Sequence, residues 1–141
     1  MGKLAYYINS LKEVSRLKKM NLRITTGEEV IEDDFFIFMI LNSSGAGGFR
    51  NLAPEASLND GLFDLVAVRA NNLLKLPSTV AWFFQGDNLK NESILYLQDN
   101  FFKIEYLSDR TNQHCDIDGE KGPEFPLEIN VIPQKITIIT G

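Results

Sequence analysis

A chain of 141 residues is long enough for one domain with a real hydrophobic core and too short for two ordinary ones. With 44% hydrophobic and 23% charged residues, its composition is close to that of soluble globular proteins and favours neither disorder nor a fibrous architecture. The formal net charge of −5 weighs against a nucleic-acid partner, because phosphate backbones are met by clustered Lys and Arg.

In chain order, Leu4, Tyr7, Ile8, Leu11, Val14 and Leu17 recur at spacings of three and four, which predicts a long helix from about Leu4 to Met20. Lys12, Arg16, Lys18, Lys19 and Arg23 crowd the same region; they either coat a solvated helix face or meet anionic lipid headgroups. Tyr6 stands where a myristoylation signal needs Ser or Thr, so Met1-Gly2 is not such a signal.

Leu22 and Ile24 alternate with Arg23 and Thr25 as at the start of a sheet, and the apolar run from Phe35 to Leu41 reads as a buried strand. That run is the longest in the chain and far below the roughly 20 residues that span a bilayer. Asn42 to Pro54 is rich in Gly, Ser and Asn and reads as a loop, longer than most plain connectors. Leu62 to Arg69 resumes as a strand. Pro77-Ser78-Thr79 before the apolar Val80 to Phe84 predicts a short helix. Further strands are expected at Ile94 to Leu97, Phe101 to Leu107, Asn112 to Ile117, Leu127 to Ile132 and Lys135 to Thr140. The sum is a single mainly β domain over residues 1–141, a β-sandwich with one long N-terminal helix and a short internal one.

The single histidine, His114, and the single cysteine, Cys115, are too few for a zinc site, and one cysteine makes no internal disulfide. A structural role for the pair and a reducing, cytoplasmic setting are expected.

Three segments bear residues suited to chemistry. Gly45-Ala46-Gly47-Gly48-Phe49-Arg50 could bring backbone N–H groups close to an anion, although neither dinucleotide nor P-loop spacing is present and a tight turn explains it as well. Ser57-Leu58-Asn59-Asp60-Gly61-Leu62 places a carboxylate and backbone carbonyls around a glycine turn, as a hard cation would require; an Asx turn is the simpler reading. Asp118-Gly119-Glu120 sets two carboxylates beside one another, where each would raise the other's proton affinity and fit one to act as a base; Asp-Gly is also a common hairpin signal.

Taken together, GAGGFRNLAPEASLNDGLFDLVAV, DGEKGP some fifty residues later, and the closing PQKITIITG resemble the second domain of the diacylglycerol kinase family of lipid kinases, and GKLAYYINSLKEV is similar to the helix that enters that domain. The resemblance covers nearly the whole chain. It implies the second domain of the NAD kinase/diacylglycerol kinase-like architecture, with the N-terminal ATP-binding domain and its Gly-Gly-Asp-Gly-Thr motif absent. It implies transfer of the ATP γ-phosphoryl group to a lipid hydroxyl, with diacylglycerol as first expectation and a sphingoid base, a polyprenol or a purely lipid-binding role as alternatives.

By the same resemblance Glu120 matches the proton acceptor and Asp118 its partner carboxylate. Asp60 matches the side-chain ligand of a structural Mg²⁺, with the carbonyls of Ser57 and Leu62 beside it. Gly45, Gly47, Gly48 and Arg50 would line the cleft. A peripheral membrane location follows, and a homodimer is admitted, with Phe49 and Leu52 on an exposed apolar face.

Overall fold

The computed structural model describes residues 18–71, 75, 78–79, 91–108 and 113–137. Among them are eight strands: β1 (Met20–Thr25), β2 (Val30–Leu41), β3 (Phe63–Arg69), β4 (Ile94–Asp99), β5 (Phe101–Tyr106), β6 (His114–Ile117), β7 (Glu120–Glu124) and β8 (Leu127–Asn130). Six form one antiparallel sheet in the order β4-β3-β2-β1-β5-β8, and β6 and β7 pair separately.

β2 organises the sheet. Its first half pairs with β1, from Val30 opposite Thr25 to Phe35 opposite Met20, and its second half pairs with β3, from Phe35 opposite Arg69 to Leu41 opposite Asp64. A bulge between Phe35 and Ile37 marks the change of partner. Successive strand residues face opposite ways, so Phe35 and Phe36 bury in separate clusters, and the extra residue of the bulge leaves Ile37 on the same side as Phe36.

The bend brings distant strands together. β4 and β5 are not neighbours, yet only Asn100 separates them in sequence. Asp99 at the end of β4 accepts a hydrogen bond from the Gly27 amide in the β1–β2 turn at 2.9 Å. The sheet therefore folds over itself, as where strands pass between layers of a sandwich.

The main core lies inside this fold. Leu22, Ile24, Phe102, Ile104 and Leu127 from β1, β5 and β8 meet Phe35, Leu65, Ala67 and Leu95 from β2, β3 and β4. The β6–β7 hairpin joins it through Cys115, which supports the structural role expected of that residue, and Phe125 follows; the Phe125 ring packs edge-on against Tyr106 and Phe38, with centroids 4.8 and 6.2 Å apart. A second cluster, on the other face of β2 and β3, holds Phe36, Leu41, Val66 and Val68 beneath Leu52 and Ala53. With apolar matter on both sides, β3 is buried from Asp64 through Val68, and Leu65 to Val68 is a continuous rather than alternating apolar run.

The expected mainly β architecture is present, with several boundaries corrected. Met20 begins a strand rather than ending a helix, and the rest of the expected Leu4–Met20 helix lies largely outside the described residues. Ser78 and Thr79 are helical, while the remainder of the expected short helix lies outside them. β2 starts at Val30, not Phe35, and β7 was not expected. Residues 135–137 form no strand; the rest of the expected closing strand lies outside the described residues. Among the described residues no helix is long and apolar enough to cross a membrane.

Candidate functional site

The β2–β3 connection carries two of the three segments. Ala46 and Phe49 form an isolated antiparallel bridge, exchanging N–H···O bonds of 3.2 and 2.9 Å around Gly47 and Gly48. Those glycines have φ of 59° and 83°, so the local structure is a tight two-residue turn. Gly45 is needed for another reason: a Cβ there would collide with the Phe49 carbonyl oxygen. The segment is pinned further by the Ala53 amide donating to the Ser44 carbonyl and the Ser43 hydroxyl donating to the Gly45 carbonyl. Arg50, just past the bridge, is exposed. Leu52 is fully buried and Phe49 partly so against the second cluster, which corrects the expectation that both lie on an exposed apolar face.

After this turn the chain reaches Ser57–Leu62. Asp60 accepts a hydrogen bond from the Leu62 amide through Oδ1 at 3.0 Å, closing an Asx turn, and Gly61 takes φ of 73°. Asp60 and Ser57 are exposed. Among the described residues no group of three or more His, Cys, Asp or Glu side chains could hold a metal. The described residues thus offer a cation at this turn one exposed carboxylate, Asp60, so most of its ligands would have to be backbone carbonyls and water.

The third segment forms the tip of the β6–β7 hairpin. Ile117 pairs with Glu120 around Asp118 and Gly119, whose φ values of 52° and 88° match the two-residue turn that Asp-Gly favours. Asp116 braces it by accepting the Gly119 amide at 2.8 Å. Asp118 and Glu120 are both exposed. This hairpin is a separate sheet from the one bearing the glycine turn and Asp60, so the described chain presents two acidic tips on different elements.

Beneath the β2–β3 connection lies a polar group that sequence reasoning missed. Asp64 is fully buried. Its Oδ1 accepts from the Tyr96 hydroxyl and, at 2.9 Å, from Gln98 Nε2. Gln98 also donates to the Glu55 carbonyl at 3.3 Å. Burial, followed by the Asp64 carboxylate, pushes the Tyr96 phenol well above the ordinary tyrosine range. The available signal was one acid inside the apolar run Phe63-Asp64-Leu65-Val66-Ala67-Val68.

Over residues 1–140 the sequence matches the family described as the YegS C-terminal NAD kinase beta sandwich-like domain. The chain belongs to this family. Among curated relatives, the diacylglycerol kinase of Bacillus subtilis (strain 168) is 27% identical over 139 residues, which is 99% of this chain and 45% of the relative. That of Staphylococcus aureus (strain bovine RF122 / ET3-1) is 29% identical over 138 residues, 98% of this chain and 43% of the relative. The chain thus spans less than half the length of these relatives. A solved structure described as a diacylglycerol kinase from Bacillus anthracis str. Sterne matches with a TM-score of 0.62 at 17% identity, covering 86% of this chain and 43% of that one. Another from the same organism reaches 0.71 at 20% identity, covering 94% and 43%. The structural likenesses show a shared fold, and the curated relatives that align with nearly the whole chain are named diacylglycerol kinases.

Proposed function

We propose that this chain forms the acceptor side of an ATP-dependent lipid kinase that converts diacylglycerol to phosphatidate. The observation that carries the proposal is the alignment of 98–99% of the chain with proteins named diacylglycerol kinase. The nucleotide-binding half would belong to the part of the relatives' length that this chain does not span.

In the proposed reaction the lipid hydroxyl oxygen forms a bond to the γ-phosphorus of ATP, the bond to the β–γ bridging oxygen breaks, and ADP leaves. Glu120 takes the hydroxyl proton, which an alcohol must lose to become a competent nucleophile. Asp118, its neighbour across Gly119, is the partner carboxylate. Both are exposed, so the nucleotide half and the lipid would have to close over the hairpin to exclude water. Gly45, Gly47, Gly48 and Arg50 would line that cleft, Arg50 as a phosphate contact.

Mg²⁺ would be held by Asp60 with the carbonyls of Ser57 and Leu62; it would fix the β2–β3 connection rather than touch phosphate. The ion that travels with ATP is a separate one. A lipid acceptor implies work at the cytoplasmic membrane surface as a peripheral protein, and pairing of two copies belongs to the same proposal.

The test uses a protein joining this chain to a nucleotide-binding half. Glu120→Gln should keep lipid binding and lose about 10²–10⁴-fold in phosphatidate formation, the usual worth of a general base. Near-normal turnover would remove Glu120 from the mechanism. A panel of lipid alcohols in mixed micelles, sphingoid bases and polyprenols included, identifies the acceptor.

A further inference from the structure

Asp64 sits at an energetically costly place. A buried carboxylate loses its hydration, and hydrogen bonds must compensate for that loss. Here both donors converge on Oδ1, while Oδ2 is buried with no hydrogen-bond partner. An apolar side chain at this position, on the same face of β3 as Val66 and Val68 of the second cluster, would carry no such cost.

The arrangement of the two donors explains what the carboxylate does. Tyr96 and Gln98 are two residues apart on β4 and so share a face. Asp64 pairs directly with Gln98 across the β3–β4 ladder. Gln98 also reaches the backbone of Glu55, which lies outside the sheet in the β2–β3 connection. The Ala56 amide, next in sequence, turns back to the Ala53 carbonyl at 3.1 Å. Glu55 is thus where the connection is tied to the sheet before it rises into Ser57–Leu62, and β3 begins again at Phe63.

We propose that Asp64 is a positioning residue: it holds the Gln98 amide, which in turn fixes the Glu55 carbonyl, and thereby sets the geometry of the Ser57–Leu62 turn that binds the cation. The inference rests on the reading of Asp60, Ser57 and Leu62 as cation ligands. It adds that ligand placement is governed by a carboxylate that does not touch the ion. Groups that orient metal ligands from behind typically change affinity by about 10–100-fold when removed.

Two readouts on the 141-residue chain decide it: amide hydrogen exchange at Ala56 and Leu62, and the Mg²⁺ dependence of the melting temperature, with Mg²⁺ alone as the probe. Gln98→Met removes the bridging amide and with it one of the two donors to the buried carboxylate, so its metal-free stability should fall, and both readouts are taken under conditions where the variant is folded. Exchange at Ala56 and Leu62 should accelerate about tenfold and the Mg²⁺ dissociation constant should rise about 10–100-fold. Asp64→Asn keeps an oxygen acceptor for Tyr96 and Gln98 and should leave both readouts near wild type, whereas Asp64→Leu should move both. Unchanged exchange in a folded Gln98→Met variant overturns the proposal, as does faster exchange with unaltered Mg²⁺ affinity. If the wild-type chain shows no Mg²⁺ response while exchange still accelerates, the positioning of the turn stands and the cation reading alone falls.

Discussion

Lys19 and Asp34 form an ion pair at 2.5 Å beside the β1–β2 pairing, and Asn21 donates to the same carboxylate at 3.0 Å. The Lys19 hydrogen bond first, and the Asn21 bond second, hold the Asp34 carboxyl below the ordinary aspartate range. A depressed folded-state pKa gives stability that is present above the unfolded value of about 4 and is lost as pH falls through the folded value. Asp34→Asn should therefore lower stability at neutral pH by about 0.2–1 kcal/mol, given the partial exposure of the pair. The gap between variant and wild type should close as urea melts are taken from about pH 5 toward pH 2. A gap that persists at low pH contradicts this assignment.

Gly45 and Gly48 should respond differently to the same substitution. Gly48 has φ of 83° and open space where a Cβ would go, so Gly48→Ala carries only the cost of a left-handed backbone, about 1–2 kcal/mol. Gly45→Ala drives a methyl into the Phe49 carbonyl and cannot be accommodated without breaking the Ala46–Phe49 bridge. Thermal melts should place Gly45→Ala clearly below Gly48→Ala.

The hairpin tip permits separation of folding from chemistry. Asp118 adopts φ of 52°, which glycine also accepts, so Asp118→Gly should fold with unchanged stability to within about 1 kcal/mol while removing the carboxylate. Asp116→Ala removes the brace on Gly119 and should cost about 1 kcal/mol without touching either proposed catalytic group. Kinase assays on the joined protein should show a loss of kcat for Asp118→Gly that exceeds any loss for Asp116→Ala. The reverse order would assign the tip a structural role only.

Asp60→Asn keeps the oxygen that accepts the Leu62 amide and removes the charge. The turn should survive, and the Mg²⁺-dependent rise in melting temperature should disappear. In the wild-type chain that rise should correspond to about 2.7 kcal/mol at a hundredfold excess of Mg²⁺ over its dissociation constant. Equal responses in variant and wild type would move the cation elsewhere.

How legible all this was in the sequence depended on how local each signal is. The Asp118-Gly119 turn and the strands at Phe63–Arg69 and Phe101–Tyr106 declare themselves through short-range pattern. The first half of β2 did not, because Glu32, Asp33 and Asp34 look like a surface loop until their partners are known. Glu32 is held by Arg23 at 2.7 Å across β1, and Asp33 by Arg69 of β3. β7 was hidden by its composition: Glu120-Lys121-Gly122-Pro123-Glu124 has both strand-disfavouring residues, and its main warrant is the turn that pairs it with β6. Of the proposed site residues, the turns at Gly47-Gly48 and Asp60-Gly61 were readable locally. The tie from Asp64 to Glu55 runs through Gln98, 34 positions from Asp64, and no window of sequence contains it.

The long bent strand has a further bearing on how the domain comes apart. Val30–Leu41 is a structural member common to both layers, so neither layer possesses a complete set of neighbours without it. Prising this segment away would strip one edge from β1 and one from β3 at once, and would open the interior core along the same line. Denaturation of the described β portion is thereby cast as one concerted event, with no partly open form in which one layer outlives the other.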